Sequence, residues 1–156
     1  MIEWFSSKMV TSITVLVIAA SFTGLFSMQA DYYRTQELED LANAITDLVT
    51  EVELLDGQVW VEVNWTVSAR SHGLPREFHG KPYVIRFTPE RPYVAWQGQV
   101  VPGRFFPSDI RLIGSDGEET HLLEIASAIG FTLESSPIWT EWGLEHALSI
   151  RPVLMP

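Results

Sequence analysis

The stretch Met9-Val-Thr-Ser-Ile-Thr-Val-Leu-Val-Ile-Ala-Ala-Ser-Phe-Thr-Gly-Leu-Phe-Ser-Met-Gln-Ala30 holds 22 residues and no charge. A helix rises about 1.5 Å per residue, so the segment reaches roughly 33 Å, close to the hydrocarbon thickness of a bilayer. A helix in a soluble core is seldom apolar on every side for so long. The segment therefore reads as a membrane span. No proline precedes Pro75, and no helix breaker follows Ala30, so the span can run on as one helix into the acidic residues beyond it.

The flanks decide what kind of span this is. Ahead of it, Met1-Ile-Glu-Trp-Phe-Ser-Ser-Lys8 offers one basic residue, offset by Glu3. The end of the run, Phe26-Ser-Met-Gln-Ala30, lacks the small-x-small cleavage pattern, because Met28 stands where a small residue is needed. The reading is a retained single-pass anchor, residues 1–30. Lys8 on one side and Arg34 on the other nearly balance, and no basic cluster follows the span to hold it back. The expected orientation is N-terminus cytoplasmic and the rest extracytoplasmic. The absence of ionisable groups between Met9 and Ala30 speaks against an ion or proton pathway. Thr11, Ser12, Thr14, Ser21, Thr23, Gly24 and Ser27 are small enough to let helices approach closely in lipid, and Thr23, Gly24 and Ser27 are the expected packing residues.

Beyond the span the period changes. Leu38, Leu41, Ala42, Ile45, Leu48, Val49, Val52 and Leu55 recur at steps of three and four, which predicts an amphipathic helix over residues 31–56. Leu38, Leu41, Ile45, Leu48, Val52 and Leu55 are expected to pack on a globular head, and Asp56-Gly57 to stop the helix. Charge is concentrated here. From Asp31 to Asp56 eight acids against Arg34 alone make −7, which leaves −3 of the formal −10 for the rest of the chain. That balance argues against nucleic acid and against docking on anionic lipid, and for a solvated acidic surface.

Residues 57–156 suffice for one β-rich domain. Val59, Val61, Val63, Trp65 and Val67 alternate with Trp60, Glu62, Asn64, Thr66 and Ser68, a half-buried strand pattern. Tyr83–Thr88, Tyr93–Trp96, Val100–Val101, Phe105–Ile113, Phe131–Glu134 and Leu144–Ile150 read as further strands, with turns at Gln97-Gly98 and Pro102-Gly103. Ser115-Asp116-Gly117-Glu118 resembles a cap, and Glu119–Ile129 fits a short helix. The expected class is α+β: a long N-terminal helix, then a small antiparallel β-rich extracytoplasmic domain with one short helix.

Chemistry-bearing motifs are few. The chain has no cysteine, which removes thiol nucleophiles, and it carries no G-x-S-x-G elbow, no H-E-x-x-H and no glycine-rich phosphate loop. His72, His79 and Glu77 lie near one Pro/Gly loop but fall short of the three or four converging ligands of a metal site. No catalytic residue, cofactor or metal is expected. Asn64-Trp65-Thr66 matches the N-glycosylation acceptor pattern and equally suits an ordinary strand position. Of the six tryptophans, Trp139 and Trp142 stand in Ser-Ser-Pro-Ile-Trp-Thr-Glu-Trp-Gly, where exposed aromatics could anchor a partner or stack on a sugar, though core packing accounts for such residues more often.

The order of segments resembles the pilin-like proteins of archaea. Ser7-Lys8-Met9-Val-Thr-Ser-Ile-Thr-Val-Leu-Val-Ile-Ala-Ala20 is similar to their hydrophobic N-terminal segment, and Glu39-Asp-Leu-Ala-Asn-Ala-Ile-Thr-Asp47 to the extension that follows. The likeness is one of architecture and covers about the first third of the chain. It implies helices packed together as a filament core with the heads outside. Two departures stand beside it: Lys8 is followed by Met9 where the family's processing site has glycine or alanine, and no glutamate occurs early in the apolar helix. They point to an unprocessed, minor or accessory subunit. The expected function is a non-enzymatic, membrane-anchored structural or accessory subunit of a cell-surface assembly, with membrane lipid and other anchored subunits as partners. A membrane-tethered binding module for a glycan or envelope protein is the alternative.

Overall fold

The computed structural model describes residues 2–55, 58–65, 70–108, 110–140 and 143–153. The chain divides into two compact units, Met1–Glu37 and Leu38–Pro156. A helix, α1 (Ile2–Glu53), forms the first unit and opens the second.

The second unit follows α1 with eleven strands: β1 (Val59–Val63), β2 (Arg70–Ser71), β3 (Leu74–Pro75), β4 (Val84–Phe87), β5 (Pro92–Trp96), β6 (Gln99–Pro102), β7 (Arg111–Ile113), β8 (Glu119–Thr120), β9 (Leu123–Ala126), β10 (Phe131–Thr140) and β11 (Gly143–Pro152). They form a five-stranded sheet in the order β1-β10-β11-β7-β8, a four-stranded sheet in the order β6-β5-β4-β9, and the small β2-β3 hairpin. Pairing is antiparallel except between β11 and β7, which run parallel. The class is α+β, with α1 the single helix among the described residues.

Alternation places the core. In the four-stranded sheet Ile85, Phe87, Val94, Trp96, Val101, Leu123 and Ile125 are buried, and the residues between them face out. Phe87 of β4 meets Phe131 of β10 with ring centroids 5.1 Å apart, and Trp65 meets the same Phe131 ring at 6.2 Å, so aromatic edges join the two sheets. Trp65 is fully buried, and its indole Nε1 donates to the Leu74 carbonyl at 2.9 Å. Leu38, Ala42, Ile45 and Val49 of α1 enter this same core, each with no accessible surface.

Tyr83 ties three segments together. Its hydroxyl donates to the Pro75 carbonyl at 2.6 Å, and its backbone N–H donates to Ser127 Oγ at 3.1 Å. Burial pushes its phenol well above the ordinary tyrosine value, because a phenolate there would be desolvated. At the start of β10, Gly130 sits at φ 89°, and a Cβ there would run into the Val63 carbonyl. Only glycine suits that conformation and that approach.

Two expectations are corrected. Glu119–Ile129 is not a helix: it supplies β8, β9 and the turn after them. Leu123 and Ile125 point inward while Leu122 and Glu124 point out, and the segment pairs with β4 through Ile85↔Ile125 and Arg86↔Glu124. Period-two alternation satisfied by a waiting edge strand outweighs local helix propensity. The Ser115–Glu118 stretch closes the β7–β8 hairpin, with the Gly114 N–H donating to the Glu118 carbonyl at 2.8 Å, so it is no helix cap. The expected Phe105–Ile113 strand shrinks to Arg111–Ile113. Ahead of it Phe106 and Ile110 donate their N–H groups to the Glu90 and Pro89 carbonyls at 2.7 and 3.0 Å, holding a loop.

Candidate functional site

In the first unit every described side chain from Met9 to Ala30 is exposed, Met28 by 72% and Leu16 by 68%. Four hydroxyls in this segment have partners on their own helix. Thr14 donates to the Val10 carbonyl at 2.9 Å, Ser21 to Val17 at 2.8 Å, Thr23 to Ala19 at 2.9 Å and Ser27 to Gly24 at 3.0 Å. Each hydroxyl is thus satisfied by its own helix, which removes the main cost of placing it in hydrocarbon. A Cβ at Gly24 would meet nothing within 4 Å, so this point is open to a close neighbour. Tyr32 and Tyr33 follow as exposed rings 6.1 Å apart, and Arg34 bridges Asp31 at 3.3 Å. Among the described residues α1 is the one helix long and apolar enough to cross a membrane.

In the second unit the predicted stripe divides at its end. Leu38, Leu41, Ile45, Leu48 and Val52 are buried. Leu55 is not: it is 46% exposed, because α1 ends at Glu53 and the Leu55 N–H donates to the Val52 carbonyl in a tighter last turn that carries the side chain off the stripe. The Asp56-Gly57 stop lies outside the described residues.

A contact that sequence reasoning missed seats this end of α1. A Cβ on Gly103 would fall 2.7 Å from the Ala42 carbonyl and 2.9 Å from Thr46 Oγ1 and Pro92 Cγ. The loop after β6 therefore lies against the helix backbone. Thr46 Oγ1 donates to the Arg104 carbonyl at 3.2 Å, the Arg104 N–H donates to Asn43 Oδ1 at 3.1 Å, and the Arg104 guanidinium pairs with Asp47. The available sequence signal was the pair of small residues Ala42 and Thr46, one turn apart within an otherwise bulky stripe.

The remaining expected positions are scattered. Asn64 lies just past β1, half-buried, its side-chain amide donating to Glu62 Oε1 at 2.7 Å and its N–H to Ser71 Oγ at 3.2 Å. Thr66 of the acceptor tripeptide lies outside the described residues. Trp139 belongs to β10, where its backbone is registered opposite Leu144, so it sits near the tip of a hairpin and not in a loop. Trp142 and the Trp139 side chain lie outside what the structure describes. That hairpin outruns its neighbours: β1 covers only Phe131–Ser135 of β10, and β7 only Ser149–Ile150 of β11. His72 contacts the Glu62 carbonyl through Nε2 at 3.2 Å, and His79 stacks edge-on against Phe78 at 4.5 Å. Among the described residues no group of three or more His, Asp or Glu side chains is placed to hold a metal.

The outward face of the four-stranded sheet carries a groove of about 290 Å³ lined by Arg86, Thr88, Tyr93, Val100, Leu122 and Glu124. Arg86 Nε and Glu124 Oε1 face each other across β4 and β9 at 2.6 Å. Arg91, one pleat from Tyr93, donates from Nε to the Tyr93 hydroxyl at 2.9 Å. Its guanidinium carbon lies 5.1 Å from the Tyr93 ring centroid and 4.6 Å from that of Phe105. An arginine held between two aromatic faces keeps its terminal N–H groups free to grip a planar anion.

No protein family, characterised protein or solved structure matches this chain.

Proposed function

We propose that this chain is a non-enzymatic, membrane-anchored subunit of a cell-surface assembly, structural or accessory in role and resembling pilin-like proteins. In this reading Met9–Ala30 sits in lipid with its N-terminus cytoplasmic, and the unit beginning at Leu38 lies on the extracytoplasmic side. The observation that carries it is the state of the apolar segment: uncharged, exposed along its whole described length, and with the hydroxyls of Thr14, Ser21, Thr23 and Ser27 bonded to its own backbone. Such a surface suits lipid and close-packed neighbours, and Thr23, Gly24 and Ser27 supply the small side chains. Other anchored subunits and membrane lipid are the partners, and the acidic head keeps nucleic acid away.

Crosslinking mass spectrometry on native membranes tests this directly. Replacing Thr23 and Gly24 together by leucine is expected to abolish crosslinks between neighbouring anchors while the chain stays membrane-bound. Unchanged crosslinks refute the assembly.

A tethered binding module is the second reading, favoured by the β10–β11 hairpin whose outer half, among the described residues, has no neighbouring strand on either side. Trp139 near its end, with Trp142 three residues on in the sequence, would meet a glycan or an envelope protein. Trp139→Ala with Trp142→Ala is expected to abolish attachment to isolated envelopes at unchanged fold, and retained attachment removes this reading.

A further inference from the structure

The outer face of the four-stranded sheet is built unlike the rest of the acidic unit. Across the strands, Val100, Ala95, Val84 and Ala126 form one transverse row by register, and Pro102, Tyr93, Arg86 and Glu124 form the next. Val100 in the first row is an exposed apolar residue, and so are Leu122 and Phe105 beside the rows. Arg86, Arg104, Arg111 and Arg151 each meet a carboxylate. Arg91 does not, among the described residues, although the chain has 20 acidic residues against 10 basic ones and Glu90 is its neighbour. The face therefore lacks an apolar cover and one carboxylate.

The complement occurs on the same unit. The exposed side of α1 presents Asp40, Ala44, Asp47 and Glu51 at steps of four, three and four, with Glu39 beside them. No basic residue lies in Leu38–Glu53, and among the described residues Arg104 reaches this side and pairs with Asp47. A small apolar residue flanked by carboxylates one turn away can enter a shallow groove while an acid reaches its rim.

We infer that the groove around Tyr93, Val100 and Leu122 docks the exposed acidic side of α1, residues Glu39–Glu51, from a second copy of this chain, with a carboxylate of that copy gripped by Arg91. The inference rests on the assembly reading above and names the contact between heads. Two different surfaces meet in it, so a pair keeps one of each free, and the association continues from copy to copy as a ring or a filament instead of closing as a twofold pair.

The test uses the full chain in native membranes with a photo-crosslinking residue at Val100, and separately at Leu122, expressed as a mixture of isotopically light and heavy copies. Mixed-isotope crosslinks to the peptide containing Glu39–Glu51 are expected. Arg91→Glu and Arg91→Gln should each cut their yield about tenfold at unchanged circular dichroism, and co-expression of Arg91→Glu with a Glu51→Arg copy should restore at least part of it. A crosslink to a different protein, to another segment of a second copy, or to none overturns the inference. Crosslinks near Gly24 are read in the same sample. If they persist while the Val100 crosslink is absent, the head contact alone fails, and if both are absent the assembly fails with it.

Discussion

Residues 9–30 and 38–53 share one helix and one taste for Leu, Ile, Val and Ala, yet one stretch has every described side chain exposed and the other buries eight. The difference lies in the spacing of charges and not in apolar content. Between Met9 and Ala30 no acid marks a polar side, so the helix has no face to offer a domain and is suited to a uniform apolar solvent. From Leu38 onward Glu39, Asp40, Asp47 and Glu51 mark one side as wet, and the opposite side joins the protein core. The position of a few carboxylates, more than the number of leucines, assigns each half its surroundings.

The widest separation between the two regions is expected from matched truncations. Ile45→Ala removes a fully buried side chain and should cost the Leu38–Pro156 unit about 2–5 kcal/mol. Leu16→Ala, from a residue 68% exposed, should leave the denaturation midpoint of that unit where it was. Chemical denaturation of both variants in detergent gives the comparison, and equal losses would break it.

A smaller effect, about 1–3 kcal/mol, is expected from Gly103→Ala, since the new methyl group would press on the Ala42 carbonyl and Pro92. Gly24→Ala, with open space around it, should change nothing in the same measurement. A third difference depends on pH. Folding raises the Tyr83 phenol above its unfolded value of about 10, so the unfolded chain releases that proton first. Stability should be flat in this respect below about pH 10 and fall as pH climbs beyond it, and Tyr83→Phe should lose that alkaline slope. The smallest effect belongs to the anchor. The Thr23 hydroxyl already bonds to the Ala19 carbonyl, so Thr23→Val, which keeps the shape, should leave both membrane retention and anchor crosslinks within error of the parent. A clear loss would mean that the hydroxyl bonds between helices.

Much of this arrangement was legible. The leucine and isoleucine steps marked the buried side of α1, and alternation marked β1, β4 and β5, because in each case one face meets the core and the other meets water. Glu119–Ile129 was not legible, since Leu122-Leu123-Glu124-Ile125-Ala126 fits either period, and the pairing of β9 with the edge of β4 decides between them. The reach of β10 through Ser135-Ser136-Pro137 was hidden for a similar reason: these are turn-forming residues, held extended by the long register with β11. Of the candidate surface, Tyr93 and Val100 were read as strand residues, but the arginine between two rings needed Phe105, which arrives from a loop that no pattern places.

The bare backbone at Gly103 has a mechanical corollary. Sliding α1 along the sheet by one turn, about 5.4 Å, toward its C-terminal end would bring Leu38 to the spot now held by Ala42, where a leucine side chain would crowd the loop that Gly103 keeps close. The close approach at Gly103 thus works as a one-way stop: it resists the step that would seat Leu38 under the loop. A push on α1 toward its C-terminal end should accordingly strain the domain before the helix slips.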